Sequence, residues 1–416
     1  MDLLIRNARI VGQRGLKDIS IEAGKIVKIG KITKRPQKTI DAKGMLASPA
    51  FIDPHIHLDK VLIADELRPN ISGTLREAIE LIWERKRKYT VADIKRRAGE
   101  VIRMAALNGT TRMRTHVDVD TIGGLMPLKG LLATRKVFKG LMDLQIVAFP
   151  QEGIIRDPGT EELMRKAMEL GADLVGGMPH HERSHDEAKR HIDIAFDIAR
   201  EFDADIDMHV DETDDPNSRS LEYLAEKTIA EGYQGRVTAG HTCALAAYPD
   251  DYAREVIRKV KLADINMITN PATNLVIQGR EDKQPIRRGI TRVKELLAAG
   301  VNVTFGQDCV DDAFYPFGRA DLLEVALITA HAAQLTTPAE IETVFRMMTT
   351  NAARTLGVLD DYGIAVGKRA DIVILDAKSP KDAIRRQADR RYVIKGGRVI
   401  AESSSLRKLE MGFRHQ

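Results

Sequence analysis

The chain has 416 residues, enough for one large domain with a small one beside it. Its 64 basic and 60 acidic residues leave a formal charge of +4, and no basic stripe carries interleaved aromatics, so composition makes no case for nucleic-acid binding. Two cysteines, Cys243 and Cys309, are too few for a disulfide framework and suit a reducing cytoplasm, while no run nears the ~18 apolar residues of a membrane span.

The opening "MDLLIRNARIVG" carries Asp2, Arg6 and Arg9 and does not read as a signal peptide. The first fifty residues read as short strands: "LLIRNARIV", "DISIEAGKIVKIG" and "KTIDAKGMLASPAFID" alternate β-branched and polar residues, with Gly at the turns. The texture then changes. "FIDPHIHLD" (51–59) is a short apolar run, and the helical pattern "TLREAIELIWERKRK" follows it. There Thr74 and Glu77 form a capping box, and Leu75, Ile79 and Ile82 share one face. The charges of "ERKRKY" (84–89) read as the solvated face. The next helix, "DIKRRAGEVIRMAALNG", stops at Asn108-Gly109, a C-cap signal.

Seven more apolar runs recur with helical patterns between them. They are "TTRMRTHVDVD" (110–120), "DLQIVAFPQEG" (143–153), "ADLVGGMPHHE" (172–182), "DIDMHVDE" (205–212), "RVTAGHT" (236–242), "INMITNP" (265–271) and "VNVTFGQDC" (301–309). Eight strands alternating with helices predict a (β/α)₈ barrel, the TIM-barrel fold. A doubly wound sheet would prefer a Gly-rich phosphate turn after its first strand, and none is present. The last stretch returns to strands in "ADIVILD" and "RYVIKGGRVIAES", with a hairpin at Gly396-Gly397. The expectation is a barrel over 51–361 and a small β-sandwich domain built from 1–50 and 362–416.

In such a barrel the chemistry sits at the C-terminal ends of the strands. The first strand ends in His55-Ile-His57, and alternation along a strand turns both imidazoles the same way, spaced to grip one ion. The fifth ends at His209, with Glu212 three residues on; the sixth ends at His241 and the eighth at Asp308. Three histidines and a carboxylate from different strands suit Zn²⁺ or Fe²⁺. His116 either lines the mouth or supports its residues from behind. His180-His181-Glu182 end the fourth strand, and His180 is a candidate substrate contact. His185 reads as loop surface; His191, in a helix, and His415, in the tail, read as structural.

With these residues in view, the chain resembles the amidohydrolase superfamily, and within it the bacterial cytosine deaminase group. "DPHIHLD", "HVDE", "GHT" and "GQD" match the superfamily signature. "LQIVAFPQEGI" (144–154), "THVDVD" (115–120), "IQGRED", "RRGITRVKE" (287–295) and "YGIAVG" (362–367) carry the closer match over nearly the whole chain. The resemblance implies one divalent metal per subunit, Zn²⁺ or Fe²⁺, held by His55, His57, His209 and Asp308. Relatives with two metals bridge them through a lysine or glutamate near strands three or four, and here those strands end in Gln151 and His180.

The implied reaction is hydrolytic deamination of a free pyrimidine base. A metal-activated water is deprotonated or oriented by His241 and Asp308, and Glu212 delivers protons to the ring nitrogen and the leaving amine. Gln151 matches the residue that reads the pyrimidine edge, Phe314 an aromatic that closes over the ring, and Leu75 a lid position on the loop after the first strand. The resemblance also implies a cytoplasmic homo-oligomer with a small nucleobase as substrate. At strand eight the group reads His-Asp-Asp, whereas this chain reads Gln307-Asp308-Cys309. Alternation predicts that Cys309 points away from Asp308. A neutral thiol behaves as a small hydrophobe where the group has a hydrated carboxylate, so Cys309 predicts a preference for 5-methylcytosine. Isocytosine, creatinine, a pterin or an s-triazine amine remain alternative substrates.

Overall fold

The β-branched runs at the head of the chain pair into a sheet. In the computed structural model, which describes residues 1–405, they form β1 (Leu3–Ile10), β2 (Leu16–Glu22), β3 (Lys25–Gly30), β4 (Lys38–Asp41) and β5 (Leu46–Pro49). His415 lies outside the described residues.

The next eight strands are parallel and follow one another in chain order: β6 (Phe51–Ile56), β7 (Thr110–Asp118), β8 (Asp143–Phe149), β9 (Leu174–Gly177), β10 (Asp205–Val210), β11 (Val237–His241), β12 (Asn266–Thr269) and β13 (Val303–Phe305). This is the predicted TIM barrel. Its seam, between β13 and β6, closes past the end of β13 through an isolated bridge between Ile56 and Asp308. Asp308 N donates to His55 O (2.8 Å), and His57 N donates to Asp308 O (3.0 Å). Gly306 is required at this seam, because a Cβ there would stand 2.5 Å from His55 O.

The chain then returns to the first sheet with β14 (Ile372–Leu375), β15 (Arg390–Lys395) and β16 (Arg398–Glu402), in the order β16-β15-β14-β5-β1-β2-β3, with β4 also paired to β1. Ile5, Ile19, Ile21, Ile372 and Ile394 form its separate apolar core. The β15–β16 hairpin turns on Gly396 and Gly397, both at positive φ, as a two-residue turn of this kind demands.

Helix α1 (Leu75–Lys86) differs from expectation in two ways. Thr74 caps it, accepting from Glu77 N (3.3 Å), but Glu77 does not return the bond to Thr74. Its Oε2 instead accepts from the Ser72 N–H and hydroxyl, both at 2.6 Å, because the chain before the cap curls under the carboxylate. The charged run is also not wholly solvated. Lys86 and Tyr89 are buried, and Lys86 Nζ meets Asp118 (2.6 Å), Asp120 (2.6 Å) and Glu152 (3.4 Å). Helix α2 (Val91–Leu107) stops as predicted, with Gly109 at φ +92°. His185 is exposed but opens the helix His185–Glu201 rather than lying in a loop.

Candidate metal and substrate site

Strand alternation brings His55 and His57 to the barrel mouth together, and β10 delivers His209. Ligand atoms of His55, His57, His209 and Asp308 all lie within 4.8 Å of one another, and all four residues are buried. His57 Nε2 is 3.0 Å from His209 Nε2; Asp308 Oδ1 is 3.4 Å from His55 Nε2 and 3.5 Å from His57 Nε2. Donors ~2.1 Å from a tetrahedral ion stand about 3.4 Å apart, so the spacing fits one divalent ion. Both ring nitrogens of His55, Nδ1 of His57 and of His209, and Asp308 Oδ2 are buried without hydrogen-bond partners. Polar atoms are seldom left so, and an ion would occupy those facing the cluster. Burial, reinforced by neighbouring cations and imidazoles, pushes His57 and His209 well below the ordinary histidine range, which keeps them neutral as ligation requires.

His241 and Glu212 stand beside this set. His241 Nδ1 is 2.9 Å from Glu212 Oε1, and Asn274 Nδ2 donates to the same oxygen (3.0 Å). Asn270 Nδ2 lies 3.0 Å from His241 Nε2. Burial opposes a charge on His241, but Glu212 and Asp308 outweigh it and lift the imidazole to about 9. Neither asparagine was singled out in the sequence. The available signal was "NPATN", where Pro271 opens a helical turn and puts Asn270 and Asn274 one turn apart. Behind the ligands, His116 Nε2 is 3.3 Å from Asp207 Oδ1, so His116 supports the set rather than facing the mouth cavity.

The same cavity is walled by Gln151 and by a residue the sequence reading passed over, Lys60. Lys60 Nζ donates to Gln151 Oε1 (2.8 Å) and Asp118 Oδ1 (2.7 Å). Burial would discharge this ammonium, but Asp118 and Asp59 hold its pKa above normal. The Gln151 carbonyl is therefore engaged, while its Nε2 has only the soft Met178 sulfur at 3.2 Å. The sign of Lys60 lay in "HIHLDK", a lysine three residues beyond His57.

Leu75, Cys309 and Phe314 close the cavity on its apolar side. They belong to one cluster with Ala78, Ile79 and Ile82, so the predicted apolar face of α1 packs on the loop that follows β13. Leu75 stands at the start of α1 rather than on a free loop. Asp308 lies beyond β13 at φ +66°, outside strand geometry, so alternation does not decide where Cys309 points, and both residues line the cavity. Burial, with Asp308 and Asp312 nearby, pushes the Cys309 thiol well above its usual range and keeps it neutral. Gln307 turns away and donates Nε2 to Cys309 O (3.1 Å). His180 is not on this cavity. It lines an adjoining one, which shares Leu75 and Glu212, and both its ring nitrogens lack partners.

The amidohydrolase family model matches residues 38–401. N-isopropylammelide isopropyl amidohydrolase of Pseudomonas sp. (strain ADP) is 36% identical over 410 residues, which is 96% of this chain and 97% of that protein. Pterin deaminase of Rhizobium rhizogenes is 32% identical, covering 87% of this chain and 82% of its own. The crystal structure of 5-methylcytosine deaminase from Klebsiella pneumoniae liganded with 5-fluorocytosine superposes with a TM-score of 0.95. Its sequence is 40% identical, with 98% of this chain and 99% of that one covered.

Proposed function

This chain belongs to the amidohydrolase family, and from that premise we propose that it deaminates a free pyrimidine base, converting 5-methylcytosine to thymine and, less readily, cytosine to uracil, with release of ammonia. The observation that carries the proposal is the neutral, buried Cys309 thiol, set with Phe314 and Leu75 on the apolar side of a cavity whose other side holds His57, His209, Asp308 and Glu212. The likeness to the Klebsiella 5-methylcytosine deaminase supports it.

His55, His57, His209 and Asp308 would hold one divalent ion, Zn²⁺ or Fe²⁺, which when bound supplies a water nucleophile near neutral pH. The remaining work falls to side chains. Glu212 has a carboxyl beside the ligand set but outside it, placed to hold the proton for the ring nitrogen and then for the departing amine. His241 orients the nucleophilic water, its ring steadied by Glu212 and Asn270. Gln151 offers Nε2 to the ring carbonyl, and Lys60 adds a second donor while fixing the amide's orientation. Phe314 and Leu75 exclude water above the base. The four donor atoms suit one ion, and strands three and four end in Gln151 and His180 rather than in a bridging lysine or glutamate. We further assign the chain to the cytoplasm as a homo-oligomer; among the described residues no helix is long and apolar enough to cross a membrane.

A second reading has specific support. The relatives that act on N-isopropylammelide and on pterin make an s-triazine or pterin amine the rival substrate. One panel separates the two: ammonia release from cytosine, 5-methylcytosine, isocytosine and the rival amines. Burying one methyl against the thiol is worth on the order of 1 kcal/mol, so kcat/KM should favour 5-methylcytosine over cytosine by at least about fivefold. Cys309→Asp should reverse that order. A wild-type preference for cytosine, or turnover of the triazine or pterin alone, would sink the proposal.

A further inference from the structure

One buried acid near the cavity has no place in the chemistry above. Asp312 is 2% exposed and, among the described residues, pairs with no cation within salt-bridge reach. A carboxyl buried without a counter-ion is costly, so what it touches carries its purpose. Its Oδ1 accepts the Phe314 N–H (2.8 Å) and the Tyr315 N–H (3.0 Å), and Asp312 N donates to Tyr315 O (3.1 Å). The loop after β13 is thus folded around this one side chain. Cys309 packs in the same apolar cluster as Phe314 and Tyr315. Phe314 lines both the inner cavity and a second one, which Asp312 also lines.

One wall of the proposed methyl notch, the phenyl ring, therefore hangs from this anchor, and the thiol packs in the same cluster. We infer that Asp312 is a positioning residue for substrate specificity: it fixes Phe314 through its backbone N–H, against the Cys309 thiol packed in the same cluster, and so sets the width of the notch at ring carbon 5. The inference rests on the substrate reading above. It assigns Asp312 no contact with the reacting atoms. Loss of the anchor should therefore act on binding and discrimination rather than on the proton transfers.

The test uses the full chain, metal-loaded, with kcat and KM measured separately for cytosine and 5-methylcytosine. One methyl in a fitted apolar pocket is worth about 10–200-fold in discrimination. On that scale Asp312→Ala should lower the 5-methylcytosine to cytosine ratio of kcat/KM by about tenfold, mostly through KM, with kcat within about threefold. Asp312→Asn keeps an oxygen for both N–H groups and should restore most of the ratio. Should the alanine variant fail to fold, Asp312→Ser is the second probe, and a drop of about threefold in the ratio is expected. A folded, metal-loaded alanine or serine variant with the wild-type ratio and KM overturns the inference, even if melting temperature falls. If the wild type shows no preference for the methylated base, the substrate reading fails instead. Asp312 is then judged by KM for whichever base is turned over: a rise upholds its control of Phe314, and no change overturns it.

Discussion

Asp308 takes a left-handed backbone angle, as do Asp211, His241 and Thr242 around the same mouth. Residues with a Cβ seldom adopt this conformation, and each costs of order 1 kcal/mol or more. Side-chain alternation works only where the chain is a strand. It carries as far as His57, one residue past the end of β6, but not through Asp308, which stands at φ +66°. The candidate ligands were legible because histidine and aspartate are conspicuous at the ends of apolar runs. Lys60 was not, because a lysine after "HLD" looks like any solvated turn residue until its partners Asp118 and Gln151, 58 and 91 positions away, close around it. Lys60→Met should show how much that matters. Gln151 would lose its anchor, and a misplacement of about 1 Å can cost 10²-fold in rate, so kcat/KM for the preferred base should fall by about that factor. Steady-state kinetics on a correctly folded variant checks this; an unchanged value removes Lys60 from the site.

Helix α1 joins two tasks along its length. Leu75 at its start covers the cavity, and Lys86 at its end enters a buried cluster with Asp118, Asp120 and Glu152. Asp118 in turn holds Lys60, so the helix that covers the cavity and the Gln151 amide share one charge network. The apolar stripe Leu75, Ile79 and Ile82 was readable from helical spacing. The burial of Lys86 was not, since the same spacing that places a charge opposite the stripe usually leaves it in water. Removing one partner from a buried ionic cluster leaves the others uncompensated, at about 3–5 kcal/mol. Lys86→Met is thus expected to lower unfolding free energy by about that amount in urea titration. A loss within about 0.5 kcal/mol, the range of surface changes, would mean the cluster is hydrated.

At the scale of the molecule, eight apolar runs and a β-rich stretch at each end made the architecture legible, because period and length carry that information. How the barrel closes was not legible, because the last rung is made by Asp308 beyond the end of β13. Four buried candidate ligands packed this closely would make stability depend on the ion they hold. At a hundredfold excess over Kd, an ion that binds only the folded chain adds about 2.7 kcal/mol. Chelation should abolish deamination and lower the melting temperature, and Zn²⁺ or Fe²⁺ should restore both. Calorimetry with and without the ion measures it, and identical melting curves would exclude this ligand set.

The closing seam also bears on how the chain becomes active as it is made. Gln307 N donates to Asp53 Oδ1 (3.2 Å) across 254 positions of sequence. Contacts so distant are the slowest to form, since the longest loop must close before they contribute. A growing chain carries His55, His57 and His209 well before Asp308 exists, and until the eighth strand docks on the first those imidazoles form only part of a ligand set. On the proposed ligand set, acquisition of the ion would mark completion of the barrel, and a chain stalled short of residue 308 would have three of the four candidate ligands and no closing rung.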